Sequence, residues 1–185
     1  LSHFFRNSYE EALREPPRVN SRIQITDVEV YITNNQGAFN NTKNIIAFTD
    51  LAEHDSIFNT QLVTPSNDTI VPSNSANNLY NNINGNGTIT GAQQIRDFNN
   101  ADQPLSAAGF QTGTDYERLQ NAVLLNPSEY TVNRALGYVS LNRTLNPQDI
   151  LAVSYRYTYN GKVYQVGDLS TDGIDGQDAL FLKLL

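Results

Sequence analysis

The densest set of oxygen ligands in the sequence is Asp172-Gly173-Ile174-Asp175-Gly176-Gln177-Asp178. Three carboxylates spaced by glycines would wrap a hard cation such as calcium, which prefers oxygen donors. The spacing departs from the EF-hand loop, whose carboxylates alternate and end in a distant Glu. It therefore favours a solvated acidic turn, with Asp172, Asp175 and Asp178 as the only calcium candidates. His3 and His54 lie far apart, neither has a second histidine at ligand spacing, and no Gly-x-Ser-x-Gly elbow frames a nucleophile. Glu10, Glu11 and Glu15 fall on one predicted helix, whereas a glycosidase needs two acids facing across a cleft. Asn84-Gly85-Asn86-Gly87 lacks the lysine and the strand-to-helix context of a phosphate loop. The absence of cysteine removes thiolate catalysis, disulfides and zinc–thiolate sites. A net charge of −7 argues against nucleic acid and against anionic lipid, both of which need clustered Lys and Arg. No catalytic residue and no cofactor are assigned, and the chain is expected not to be an enzyme.

The elements that position these residues centre on residues 126–167. From Leu151 the side chains alternate, with Leu151, Val153, Tyr155, Tyr157 and Tyr159 on one face and Ala152, Ser154, Arg156 and Thr158 on the other. A period of two marks a strand with one buried face. Asn160-Gly161 follows, a pair that accepts positive φ at both centres of a type I′ turn. If Tyr159 pairs with Lys162, then Tyr157 faces Tyr164 and Tyr155 faces Val166, so the aromatic stripe stays on one face. Such a stripe could stack on sugar rings, but a packed cross-strand core is the better assignment. A second hairpin precedes it, with Tyr130 and Val132 leading into residues 133–137, Gly137 at the turn exit, and residues 138–141 leading out.

Elsewhere, residues 2–15 read as a helix capped by Ser2, with Phe4, Phe5, Tyr9, Ala12 and Leu13 near helical spacing and Pro16-Pro17 as its stop. Residues 21–33 read as a strand whose apolar phase changes at Thr26-Asp27, as a β-bulge would produce. Residues 43–51 form an apolar run expected to be buried on both faces and to pair with the preceding strand as a hairpin. Residues 53–100 are rich in Asn, Ser, Thr and Gly, with too little apolar surface to offset their own conformational entropy. A short helix is expected around 92–98 and an irregular connection over 103–113. Residues 115–125 match helix and strand templates each in part; a strand at 122–125 is favoured. Residues 169–176 form a loop, and 179–185 form a last strand whose partner the sequence leaves open, within this stretch or beyond it. The expected fold is mainly β (α+β): an antiparallel sheet or sandwich built from hairpins, with an N-terminal helix. Residues 1–185 form a single extramembrane domain with a variable insertion at about 53–113. No run approaches the ~18 apolar residues of a membrane helix, and no signal peptide is expected. The sequence reads as an excised piece of a longer protein, with targeting signals outside it.

With these residues read, the chain resembles the SprA family (called Sov in some species), outer-membrane proteins of the type IX secretion and gliding-motility system of Bacteroidota. The resemblance rests on FFRN at 4–7 with Tyr9-Glu10, ITDVEVYITN at 25–34, NTKNIIAFTDL at 41–51, YERLQNA at 116–122, the whole of 125–167, STDG at 170–173 and LFLKLL at 180–185. The Asn-rich middle carries no such match.

The resemblance implies a parent that is a very large β-barrel in the outer membrane, a translocon through which folded cargo leaves the cell. This stretch would be an insertion domain outside the barrel wall, at the cell surface or the periplasmic face. It implies no catalytic residues, and energy supplied by an inner-membrane motor. The implied partners are the rest of the parent barrel, accessory secretion-system subunits and secreted cargo, without nucleic acid and without direct membrane insertion by this stretch. Asp55-Ser56-Ile57 and Asp68-Thr69-Ile70 match a short O-glycosylation acceptor pattern of the same bacteria, making Ser56 and Thr69 candidates. The alternative from a different class is a free-standing surface module, a carbohydrate-binding or adhesin-like β-sandwich.

Overall fold

The computed structural model describes residues 9–16, 19–35, 37 and 40–185. The fold is mainly β. Eight strands are present among these residues: β1 (Ile23–Ile32), β2 (Thr42–Phe48), β3 (Tyr116–Leu124), β4 (Tyr130–Asn133), β5 (Tyr138–Leu141), β6 (Leu151–Tyr159), β7 (Lys162–Val166) and β8 (Leu180–Leu184). Two short helices, α1 (Leu79–Ile83) and α2 (Asp102–Ala107), and a 3-10 turn at Ala92–Gln94 lie between β2 and β3. Of the helix expected over residues 2–15, positions 9–12 are helical; Ser2, Phe4 and Phe5 lie outside the described residues.

Six strands form one sheet in the order β1-β3-β2-β8-β6-β7, and a further pairing of β1 with β6 closes five of them into a ring. That pairing runs the length of β1, from Ile23 opposite Tyr159 to Ile32 opposite Leu151. The register shifts between Ile25 and Asp27, so the expected bulge is present. Its consequence is that Ile23 and Ile25, before the shift, share a core with Val30 and Ile32 after it. Closure leaves the ring interior to its own side chains. Tyr31, Ile45, Ala47, Leu119, Ala122, Ala152, Leu180 and Leu182 form this inner core, and all five ring strands contribute. Alanine at three positions suits so narrow a space. The outer face carries Ile46, Phe48, Tyr116, Val153, Tyr155, Tyr157 and Phe181. β2 is thus buried on both sides, as its continuous apolar run requires.

The β6–β7 hairpin has the expected register, Tyr159↔Lys162, Tyr157↔Tyr164 and Tyr155↔Val166, with Asn160 at φ 49° and Gly161 at φ 76°. The β4–β5 hairpin is also as expected, with Gly137 at φ 70°. It leans on β1: the Arg134 guanidinium donates to the Ile25 carbonyl (2.8 Å), and the Tyr130 hydroxyl to the Val28 carbonyl (3.2 Å).

Three expectations are corrected here, and the open question of the β8 partner is answered. β1 and β2 do not pair with each other; β3 lies between them, with Val123 opposite both Ile32 and Thr42. A connection of this length does not force neighbouring strands together as a two-residue turn does. Residues 116–124 are strand throughout, not only at 122–125. One β2 residue, Asn44, spans two on β3 between the Lys43 and Ile45 pairs, and Asn121 sits there at φ 49°. The extra residue turns Leu119 and Ala122 to the same face at a spacing of three, which mimics a helix. Residues 103–113 contain α2, where Pro104 falls in the first turn and its missing N–H is not needed. β8 finds its partners inside the chain, parallel to β2 and antiparallel to β6.

The Asn-rich stretch is packed rather than loose, and the helix expected around 92–98 is a single 3-10 turn. Val63, Leu79, Ile83, Ile95, Leu105 and Phe110 are buried against the outer face of the ring. Its asparagines supply the hydrogen bonds that regular structure would otherwise provide. The Asn77 amide donates to the Asp50 and Glu53 carbonyls (2.7 and 2.8 Å) and accepts from the Leu79 N–H (2.9 Å). Asn74 bonds both backbone groups of Gly167, and the Asn78 side chain accepts from Thr64 N–H.

Candidate functional site

Strand alternation on β8 turns Leu180 and Leu182 into the ring and Phe181 into the outer core. Lys183 follows on that outer face, so its ammonium must find acceptors in partly buried surroundings. It donates to the Thr49 carbonyl and pairs with Glu53 Oε1 at 3.0 Å. Beside it, Asp50 closes the turn after β2, accepting from the Phe58 N–H (2.6 Å) and the Asn59 N–H (2.7 Å). These three charges sit at one side of a largely apolar cavity of about 610 Å³. The β4–β5 hairpin roofs it with Val139 and Leu141, and β1 and β6 floor it with Val30 and Val153. Phe58 and Tyr138 stand exposed at its rim. Tyr9 packs edge-on against Tyr138, with ring centroids 6.2 Å apart.

The acidic loop does not gather its three carboxylates. Asp172 accepts from the Leu169 N–H (2.9 Å), the Gln165 side-chain amide (2.5 Å) and the Arg156 guanidinium (3.1 Å), so it serves as an anchor for the loop. Asp175 accepts weakly from the Gln177 N–H (3.3 Å), and its carbonyl accepts from the Asp178 N–H. Among the described residues no group of three or more His, Asp or Glu side chains could hold a metal ion.

His54 is engaged by the neighbouring Asp55 and by the Ser66 carbonyl, and His3 lies outside the described residues. Glu10, Glu11 and Glu15 are exposed. Asn84 gives its side-chain oxygen to Arg96 rather than framing a phosphate loop. Ser56 is exposed and lines the cavity, and Thr69 is half-buried in a loop.

The tyrosine stripe is core. Tyr157 is fully buried, stacks on Tyr164 at 5.5 Å and donates to the Pro72 carbonyl at 2.7 Å. Burial pushes the Tyr155 and Tyr157 phenols well above their ordinary value. Tyr31 and Tyr80 are raised first by burial and then by the carboxylates they donate to, Glu29 and Asp168. Phenols held protonated in this way act as donors, not bases.

Two buried charge sets escaped sequence reasoning: Lys183–Glu53 and the Arg96–Asp168 pair at 2.9 Å. Each joins residues far apart in the chain at no recognisable spacing. The one available signal was the isolated lysine inside the apolar run at 180–185. Among the described residues no helix is long and apolar enough to cross a membrane. No protein-family model matches the chain, and no curated protein matches it.

Proposed function

We propose that this chain is a structural, non-enzymatic insertion domain of the type IX secretion translocation channel, part of an outer-membrane protein needed for export and gliding motility. The observation that carries this reading is where the family-like runs fall. They coincide with β1, β2, β3, the two hairpins and β8, the strands of the ring and its support. The unmatched middle is the outer cover. Such a placement fits a domain whose framework serves as a shape to dock against the parent barrel. Its carboxylates serve the same end: Asp50, Asp168 and Asp172 hold backbone amides or guanidinium groups. Its partners would be the parent barrel, accessory subunits and cargo, on an extracytoplasmic face.

The test is to replace residues 20–185 with a short Gly/Ser linker in the parent gene of a gliding strain. The expected result is a parent that still reaches the outer membrane, with export and gliding lost. Export at the level of the unaltered strain would overturn the proposal. The alternative, a carbohydrate-binding or adhesin-like surface module, draws no sugar platform from the tyrosine stripe, because Tyr157 is buried and Tyr155 nearly so. A glycan array with saturable binding would reinstate it.

A further inference from the structure

From the cavity roofed by the β4–β5 hairpin, we infer a small-molecule site that takes an apolar amine, a hydrocarbon or aromatic body with one ammonium head. This goes beyond the channel reading and does not depend on it. The volume, about 610 Å³, falls within the ~300–1,000 Å³ of small-ligand pockets, and apolar walls with a few placed polar groups are their usual make-up. Val30, Val139, Leu141 and Val153 supply the walls.

The polar side sets the class of head group. The charged side chains lining the cavity are Asp50, Glu53 and Lys183, two carboxylates against one ammonium. Asp50 is 4 % exposed and Glu53 9 %. A buried ion pair is weak as a source of stability, since apolar side chains of similar volume would do as well. The Glu53–Lys183 pair beside apolar walls supplies the few placed polar groups that orient a ligand in such a cavity. Lys183 is already engaged by Glu53 Oε1 and the Thr49 carbonyl, whereas a carboxylate has acceptor capacity beyond one such bond. An entering ammonium adds a donor to Glu53 and balances the lining charge. A carboxylate head would instead stand among two carboxylates in a low-dielectric site, which is strongly disfavoured.

Matched eight-carbon probes test this on the intact chain at neutral pH: 1-octylamine, 1-octanol and octanoate, titrated by calorimetry and by methyl NMR. The amine should saturate, shift the methyl signals of Val139, Leu141 and Val153, and bind at least about tenfold tighter than octanoate. Glu53→Gln should erase the preference for amine over alcohol. Leu141→Trp, on the half-buried hairpin, should fill the cavity and abolish binding of all three while leaving the circular dichroism unchanged. Octanoate binding as tightly as the amine, no saturation by the amine, an unchanged preference in a folded Glu53→Gln, or shifts confined to other methyls would each overturn the assignment.

Discussion

Arg96 Nη1 meets Asp168 Oδ2 at 2.9 Å across a separation of 72 residues, joining the Asn-rich cover to the exit of β7. The same carboxylate accepts from the Tyr80 hydroxyl (2.5 Å) and the Phe181 N–H (2.8 Å), and the guanidinium lies 4.1 Å from the centre of the Phe181 ring. Cover, hairpin and last strand therefore share one polar anchor.

Arg96→Met should leave Asp168, whose side chain is only 2 % exposed, charged and without its counter-ion. The expected loss is about 3–5 kcal/mol, the usual cost of breaking a buried pair from one side. Urea denaturation measures it; a loss below about 1 kcal/mol would show that the anchor is dispensable.

Asn77→Ala should orphan the Glu53 carbonyl and the Leu79 N–H in a buried turn, leaving the Asp50 carbonyl with the Glu53 N–H alone. At roughly 1–3 kcal/mol for each unsatisfied buried group, partly relieved by relaxation, a total loss of about 2–4 kcal/mol is expected. Hydrogen exchange should show the turn opening at residues 50–53 and 77–79 before the ring. Uniformly fast exchange over residues 53–100 in the unaltered protein would instead mean that the cover is not held down at all.

Gly167→Ala meets two obstacles at once. The residue has φ +70°, and an added Cβ would lie 2.9 Å from the Phe181 carbonyl oxygen and 3.2 Å from Ser154 Cβ. About 3 kcal/mol of stability should be lost. Gly161→Ala, at φ +76° with nothing within 4 Å of the new methyl, should cost about 1 kcal/mol. Thermal melts of the two variants should be clearly separated.

Tyr31, Tyr80, Tyr155 and Tyr157 all have phenols raised above the ordinary value of 10.0. In the unfolded chain they ionise near pH 10, while the folded chain keeps them protonated. The unfolded state then holds fewer protons, so stability falls as pH rises. Their contribution is complete below pH 10 and is lost as pH climbs toward the folded values. Alkaline unfolding should track tyrosinate absorbance. Full tyrosine ionisation with native circular dichroism retained would contradict the burial described here.

How much of this was legible in the sequence follows from which interactions are local. The register of β6 and β7 was readable because Asn160-Gly161 sets it over ten residues, and the β1 bulge because its apolar phase breaks at Thr26-Asp27. The place of β3 between β1 and β2 was not, since it depends on Val123 meeting Ile32 and Thr42 from two sides. Composition misled over residues 53–113. Asparagine there is a backbone-satisfying residue, as Asn77 shows, and the sparse Leu79, Ile83, Ile95 and Leu105 suffice because they land on an apolar face already built. Of the candidate site, Asp172 was visible and proved to be an anchor, while Glu53 and Lys183 meet only once β8 is in place.

That last insertion has a consequence for how the molecule is made. Until residues 180–184 leave the ribosome or a translocation pore, the arc β6-β1-β3-β2 stays open, with Ile45 to Phe48 lining a bare rim. The wedge that unites its two ends arrives last. Deleting β8 should therefore be far more damaging than its 5 residues suggest, because it opens the ring and bares the edge of β2.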